Sequence, residues 1–252
     1  MADSDDELTL SSSTLDALKS FYAERDAHAQ QFEKLQAAAE EQHASSASQQ
    51  PLSMSLFTED WNESQFWYSD ETAAHLARQL LDGATPEMQI VVVSAPSVFV
   101  QLKNLVNEAK SRGRPVPKIL LLEHDNRFAV FKDEFVFYDF MQPVRLPAHL
   151  KGTADRLIVD PPFLSEDCQT KAALTVRWLL RPSPNTSQVN RLIVCTGERM
   201  EELVTTKLYK SLGVRTTDYE VVHARGLSNE FYCYANFEVE GDGGWRWKAR
   251  ES

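Results

Sequence analysis

Leu157-Ile158-Val159-Asp160-Pro161-Pro162-Phe163 is an apolar run closed by an acid, two prolines and an aromatic. Residues 157 to 159 read as a buried parallel strand, and Pro161 cannot donate to a ladder, so the strand stops at Asp160. In open α/β sheets ligands bind in the crevice beyond the carboxyl ends of the strands, which places Asp160 to Phe163 at a cleft. The prolines remove two N–H groups, so the carbonyls of Asp160 and Pro161 stand beside a carboxylate with no competing donor. Such a cluster is suited to an amine. Phe163 adds a face that stacks on a planar base or attracts a cationic nitrogen. The plainer alternative is an ordinary strand-ending turn.

The flanking sequence repeats the strand-and-helix alternation. Upstream, Gln89 to Ser94 is a β-branched strand that turns at Ser94-Ala95-Pro96-Ser97 into a helix stopped by Gly113. Dinucleotide-binding folds usually carry glycines at that turn so that the backbone can approach a cofactor, and none is present. Lys118 to Leu122 is the next strand, followed by Glu123-His124-Asp125. An acid here, twenty to thirty residues after the first turn, is where a ribose hydroxyl pair is usually held. Glu123 is preferred over Asp125 because it directly follows the apolar run, while a loop-capping surface acid is the alternative. Phe135 to Phe140 reads as a third strand. After Phe163 a helix is capped by Ser165, with Glu166 and Asp167 in its first turn. Pro182 to Gln188 reads as a surface loop. Leu192 to Cys195 is a strand, turning at Thr196-Gly197 into a helix with Met200, Leu203, Val204, Leu208 and Leu212. Tyr219 to His223 and Phe231 to Phe237 read as a closing antiparallel hairpin.

The chain has 252 residues and a net charge of -11. Ten acids and three bases fall in residues 1 to 50, leaving 27 acids and 23 bases for the remainder. No basic run marks a nucleic-acid face. Cys168, Cys195 and Cys233 are unpatterned and read as reduced core residues, neither disulfides nor a metal site. With no signal peptide and no membrane-length apolar stretch, a cytoplasmic protein is expected. Residues 1–12 are expected to be a disordered acidic tail, 13–42 a helix with one narrow apolar stripe, 43–55 a linker, 56–239 the main domain and 240–252 a polar tail. The helix over 13–42 either docks on the domain or serves as a partner-binding arm. Trp61 to Ser69 is dense in aromatics and leads into a helix from Asp70 to Leu81, capped by Ser69 and ended by Gly83.

Asp160-Pro161-Pro162-Phe163 resembles the amine-binding motif of N6-adenine-type methyltransferases, which use S-adenosylmethionine. The strand and helix order resembles the seven-stranded class I methyltransferase fold, a Rossmann-like, mostly parallel α/β sheet with a C-terminal antiparallel hairpin. Several further motifs resemble one family: Tyr22-Ala23-Glu24, Gln65-Phe66-Trp67-Tyr68-Ser69, Val93-Ser94-Ala95-Pro96-Ser97-Val98, Glu123 with Asp125 and Arg127-Phe128, Phe137-Tyr138-Asp139, Asp160 to Glu166, Cys195-Thr196-Gly197 and Asn229-Glu230-Phe231. That family is the eukaryotic elongation factor 1-alpha lysine methyltransferases of the yeast "Efm five" type, once grouped with N6-adenine DNA methyltransferases. The resemblance spans residues 14 to 237 and itself has Ser-Ala-Pro-Ser in place of glycines. Phe163 stands where some members have Tyr.

The resemblance implies S-adenosylmethionine as cofactor and elongation factor 1-alpha as protein substrate. Asp160, Pro161, Pro162 and Phe163 would be catalytic. Phe66, Trp67, Ser94, Ala95, Pro96, Ser97, Glu123 and Asp160 would bind the cofactor, with Phe66 and Trp67 on the methionine side and Glu123 at the ribose. A neutral amine must be placed in line with the transferred methyl group, and no residue is identifiable as a dedicated general base. An N6-adenine nucleic-acid methyltransferase and a non-catalytic methyltransferase-fold binding module are the alternatives.

Overall fold

The computed structural model describes residues 51–54, 57, 59, 65–182, 190–226, 231–241 and 243–249. The acidic tail, the helix expected over 13–42, most of the linker, residues 61–64, the loop over 183–188 and the Asn229-Glu230 pair lie outside the described residues. Seven strands form one sheet: β1 (Gln89–Val93), β2 (Lys118–Glu123), β3 (Phe135–Phe137), β4 (Arg156–Val159), β5 (Arg191–Gly197), β6 (Arg215–Glu220) and β7 (Phe231–Ala235). Their order is β3-β2-β1-β4-β5-β7-β6. The first five are parallel, and β7 runs antiparallel to both β5 and β6. The expected class I sheet and its C-terminal hairpin are therefore present.

The apolar strands bury both faces. Ile90, Val92, Leu121, Ile158 and Ile193 face one layer, shared with helices α1 (Asp70–Leu81) and α2 (Pro96–Ser111) and with Phe128 and Phe131 of a 3-10 stretch over Asn126–Glu134. Val91, Val93, Leu122, Leu157, Val159 and Val194 face the other, where α3 (Glu166–Leu179) packs through Ala172, Ala173, Val176 and Leu179. Each fully buried aliphatic side chain contributes roughly 1.5–3 kcal/mol of transfer free energy, so strands this apolar are held in the interior of the sheet, covered on both faces.

Two arginines tie the sheet to α1. Arg156, at the start of β4, donates from Nη1 to the Leu80 carbonyl at 2.9 Å. Arg191, at the start of β5, donates to the Gln79 carbonyl at 2.8 Å and pairs with Asp82 at 2.9 Å. They satisfy carbonyls that the helix end leaves open. Ser69 caps the other end, its hydroxyl accepting from the Thr72 N–H at 3.2 Å.

Several boundaries differ from the sequence expectation. β3 ends at Phe137 instead of Phe140, because the Asp139 carboxylate accepts from the Met141 N–H at 2.8 Å and starts a turn. β6 begins at Arg215, its first four residues, Arg-Thr-Thr-Asp, giving no apolar run to announce it. The helix expected after β5 is broken into 3-10 turns at Glu198–Met200 and Lys210–Leu212 around a π-helical Leu203–Leu208. Thr205 and Thr206 donate their hydroxyls to the Glu201 and Glu202 carbonyls at 2.8 and 2.6 Å, which competes with regular helix bonding.

Two stretches expected to lie off the domain pack onto it. In the linker, Leu52 and Met54 are buried, and Leu52 exchanges two 2.8 Å hydrogen bonds with the Asn104 side chain. In the polar tail, Trp245 is only 1% exposed and packs on His75, Tyr219 and Phe237. Its indole N–H donates to the Phe237 carbonyl at 2.8 Å, while Trp247 bridges to Thr217 of β6. Burial of the indole, its hydrogen bond and the bridge to β6 together offset the cost of ordering this short glycine-containing segment.

Cys168, Cys195 and Cys233 are free and buried, with Cys195 directly opposite Cys233 across β5 and β7. Among the described residues, no group of side chains is arranged to hold a metal ion, and no helix is long and apolar enough to cross a membrane.

Candidate active site

The ladder register brings three strand tips to one level. Val93 pairs with Leu122 on one side and Val159 on the other, so Ser94, Glu123 and Asp160, each one residue further on, stand side by side at the carboxyl edge. With neighbouring strands about 4.8 Å apart, the two acids flank the β1 turn at a backbone separation of roughly 10 Å.

At the β1 tip, Ser94 has φ 52° and donates its N–H to the Leu122 carbonyl at 2.9 Å. A left-handed residue here does the backbone work that a glycine usually does, at a conformational cost of roughly 1–2 kcal/mol. Ala95 precedes α2 without a side-chain cap, and Pro96 occupies its first turn, where a missing N–H costs nothing. Ser97 is buried, and its hydroxyl accepts from the Tyr68 N–H at 3.4 Å.

At the β2 tip, Glu123 is 8% exposed, and its Oε1 accepts from the backbone N–H groups of His124 and Asp125 at 2.8 and 3.2 Å. Burial pushes its carboxyl up to about 7, more than these two bonds hold it down. Its other oxygen has no hydrogen-bond partner among the described residues. Asp125 is differently employed. Burial works to raise its carboxyl, but bonds from the Arg127 side chain at 2.8 Å, the Arg127 N–H at 2.9 Å and Gln65 at 2.9 Å leave it below the usual range. It organises a surface network, as Arg127 also donates to Gln65 Oε1 at 2.9 Å.

At the β4 tip, the Asp160 N–H donates to the Val93 carbonyl at 3.0 Å, which carries the ladder one residue past the strand. Burial pushes the carboxyl up to about 8, the Glu123 charge adds to this, and a hydrogen bond from the Tyr68 hydroxyl opposes it. Pro161 is buried, and Phe163 is 41% exposed, its ring 5.6 Å from that of Phe140. The Phe163 carbonyl accepts from Gln169 Nε2 at 3.0 Å, and Ser165 caps α3. A Cβ on Gly197 would come within 2.9 Å of Leu164, so the glycine at the end of β5 makes room for the residue after Phe163.

Asp160 to Phe163, Ser94 to Ser97 and Glu123 thus share one edge of the sheet. Trp67 does not join them. Its indole is 7% exposed, lies edge-on to Phe128 at 6.2 Å and donates to the Phe57 carbonyl at 3.1 Å, within the core. Phe66 is half-buried. The extended segment pairs with the stretch before β7: the Ser69 N–H donates to the Val222 carbonyl at 2.8 Å and the Ala224 N–H to the Trp67 carbonyl at 2.8 Å. Side chains alternate along an extended chain, so with Trp67 turned inward Tyr68 faces the site. Tyr68 is 2% exposed and reaches Asp160, and His223 packs on its ring at 5.0 Å. Sequence reasoning attached neither residue to the site, because their pairing joins segments about 150 residues apart.

A family model described as "Probable N6-adenine methyltransferase" matches residues 59–239. The chain is 45% identical, over 91% of its length and 92% of the relative's, to a Saccharomyces cerevisiae protein named protein-lysine N-methyltransferase EFM5. It is 35% identical, over 94% of its length and 97% of the relative's, to a Homo sapiens protein named EEF1A lysine methyltransferase 1. Among solved structures, a branched-chain polyamine synthase from Thermus thermophilus, in complex with N4-aminopropylspermidine and 5'-methylthioadenosine, superimposes with a TM-score of 0.50 at 15% identity, covering 82% of this chain and 68% of that one. That likeness is one of fold.

Proposed function

We infer the function from one premise: this chain belongs to the N6-adenine methyltransferase-like family, on the side whose curated members are named protein-lysine and EEF1A lysine methyltransferases. It is an S-adenosylmethionine-dependent protein-lysine N-methyltransferase, and its substrate is elongation factor 1-alpha. The observation that carries this is 45% identity to such an enzyme over nearly the full length, joined to a half-buried aspartate and two prolines at the tip of β4. We place the enzyme in the cytoplasm.

The residues at the sheet edge fit the cofactor. Glu123 offers an unengaged, desolvated oxygen to a pair of hydroxyl donors. The left-handed Ser94 and the residues to Ser97 let the backbone approach closely. Glu123 would hold the ribose and the turn Ser94-Ala95-Pro96-Ser97 would face the cofactor, with Phe66 at its margin. Trp67 serves by packing beneath that margin. The bound cofactor supplies a methyl group on a sulfonium.

The rest is the work of the acceptor side. A free lysine ammonium loses its proton near pH 10.4 and an ordinary aspartate near 3.9, a gap of about six units. With Asp160 raised to about 8, the gap to an amine bound beside it is much smaller. Asp160 can therefore accept an N–H bond from the amine and serve as the first station of its proton. The Asp160 and Pro161 carbonyls accept further N–H groups, and the ring of Phe163 stands over the nitrogen, directing its lone pair.

The family description favours one other reading, an adenine in nucleic acid held by the same four residues. Incubation with radiolabelled cofactor separates them. Purified elongation factor 1-alpha should be labelled on lysine, and purified DNA should stay unlabelled. Label in adenine with none in the factor would transfer the assignment to nucleic acid.

A further inference from the structure

We propose that Tyr68 is the residue that aims Asp160 at the acceptor amine and sets the protonation state in which it works. The inference rests on the proposed reaction and adds to it a positioning residue outside the Asp-Pro-Pro-Phe motif.

The Tyr68 hydroxyl donates to Asp160 Oδ2 from a side chain that is 2% exposed. A hydroxyl has one proton, so this donation commits Tyr68 to the ionised or acceptor form of the carboxyl and leaves Oδ1 for an incoming N–H. Tyr68 is fixed from three directions, two of them through its backbone. Its own N–H is bonded to Ser97 Oγ in the cofactor-side turn, its flanking backbone is paired with Val222 and Ala224, and the His223 ring packs against it. One side chain therefore links the β1 turn, the β4 acid and the segment leading to β7. The hydroxyl also lies beside the Cys195 thiol, and its hydrogen bond goes to the carboxylate.

The electrostatic surroundings make this donor matter. Glu123 faces Asp160 from β2 and raises it; Cys168 on α3 and Cys195 on β5, the latter beside the Tyr68 hydroxyl with Cys233 behind it on β7, are neutral thiols pushed up by burial or by one another. His223 is held well below its ordinary value, chiefly by burial, to about 4, and is neutral. Among these groups Tyr68 is the one that favours the Asp160 carboxylate. Tyr68 is itself raised well above 10, by burial first and the Asp160 charge second, and so keeps its proton throughout the working range. Without its hydroxyl Asp160 would hold a proton to higher pH. A protonated carboxyl cannot take up the proton of an ammonium and offers it no opposite charge.

Methylation of purified elongation factor 1-alpha by the full chain, followed as kcat/KM against pH, tests the assignment, because that ratio reports groups of the free enzyme. A hydrogen bond to a charged group corresponds to roughly one to two pH units. Tyr68→Phe should move the acidic limb upward by that amount, lowering kcat/KM about 10- to 100-fold below the limb, with cofactor affinity changed less than about threefold. Replacement of Tyr68 by 3-fluorotyrosine, a stronger donor of almost the same shape, should move the limb downward. This second variant keeps the test decisive if the phenylalanine protein folds poorly. An acidic limb unmoved in both proteins, or moved in the same direction by both, would overturn the role of Tyr68. A wild-type protein inactive on the factor would instead sink the proposed substrate.

Discussion

The tips of β2 and β4 both carry an acid one residue beyond the apolar ladder, and burial raises both, yet they are held by different means. Glu123 rests on two backbone N–H groups, which are part of the chain turn and cannot rotate away. Asp160 rests on a side-chain phenol reaching in from another segment. Fixed main-chain donors suit a ligand that presents the same hydroxyl pair in every cycle. A side-chain donor suits a carboxyl whose partner arrives charged and must become neutral. Two strand tips on either side of β1 can thus be given separate tasks by where their donors come from.

The strongest challenge to this contrast is at β4. Asp160→Ala should lower kcat by about 100-fold or more while circular dichroism and cofactor affinity stay near wild type, since the loss falls on the amine. Retained turnover would make Asp160 a turn residue only. At β2 the expected loss is of the other kind. Glu123→Gln should weaken cofactor binding about 10- to 100-fold by calorimetry, with kcat at saturating cofactor within a few fold of wild type. Equal effects on binding and turnover from both substitutions would erase the division of labour.

Acidity sharpens the comparison further. Hydroxyl donors favour the ionised Glu123, whose carboxyl titrates at about 7 in the empty protein. Cofactor binding should therefore take up the carboxylate form, release a proton below that value and be about tenfold weaker at pH 6 than at pH 8. Glu123→Gln should flatten the dependence. The same raised values predict a fall in the empty protein's stability as pH rises from about 4.5 through 7 for Glu123, and from about 4 through 8 for Asp160. The unfolded chain gives up those protons earlier, so it is the folded state that resists ionisation. Thermal melting of the empty and cofactor-loaded protein between pH 5 and 8 measures both effects.

The smallest expected effect lies between the two acids. Ser94→Gly relieves a left-handed serine but adds freedom to the unfolded chain, so the gain should be at most about 1 kcal/mol, or roughly 2–4 °C. Activity should persist, because the backbone shape is kept. Ser94→Val, with a branched side chain at φ 52°, should lose stability and cofactor affinity together.

What the sequence made legible follows from range. Val91, Ile158 and Val194 announce buried strands by composition alone, and prolines close the stretch one residue past β4, whose last residue is Val159. The two acids were therefore readable as strand-tip residues. Tyr68 was not, because Gln65 to Ser69 has three consecutive aromatics, Phe66, Trp67 and Tyr68, and only the distant pairing with Val222 to Ala224 decides which turns inward. The left-handed turn at Ser94 has no side-chain signal, and β6 begins in polar residues, two of them buried threonines, that give no apolar run to mark it.

The folded-back segment over Gly243–Trp247 has a practical side. A purification tag joined after the last residue would hang from a stretch already pinned to β6, with Lys248 donating its N–H to the Thr216 carbonyl at 2.9 Å. Trimming to Val239 for crystallisation would instead strip the indole that covers His75, Tyr219 and Phe237, leaving a sticky apolar surface. Such a shortened protein would be expected to clump on concentration, and the natural-looking place to cut is the wrong one.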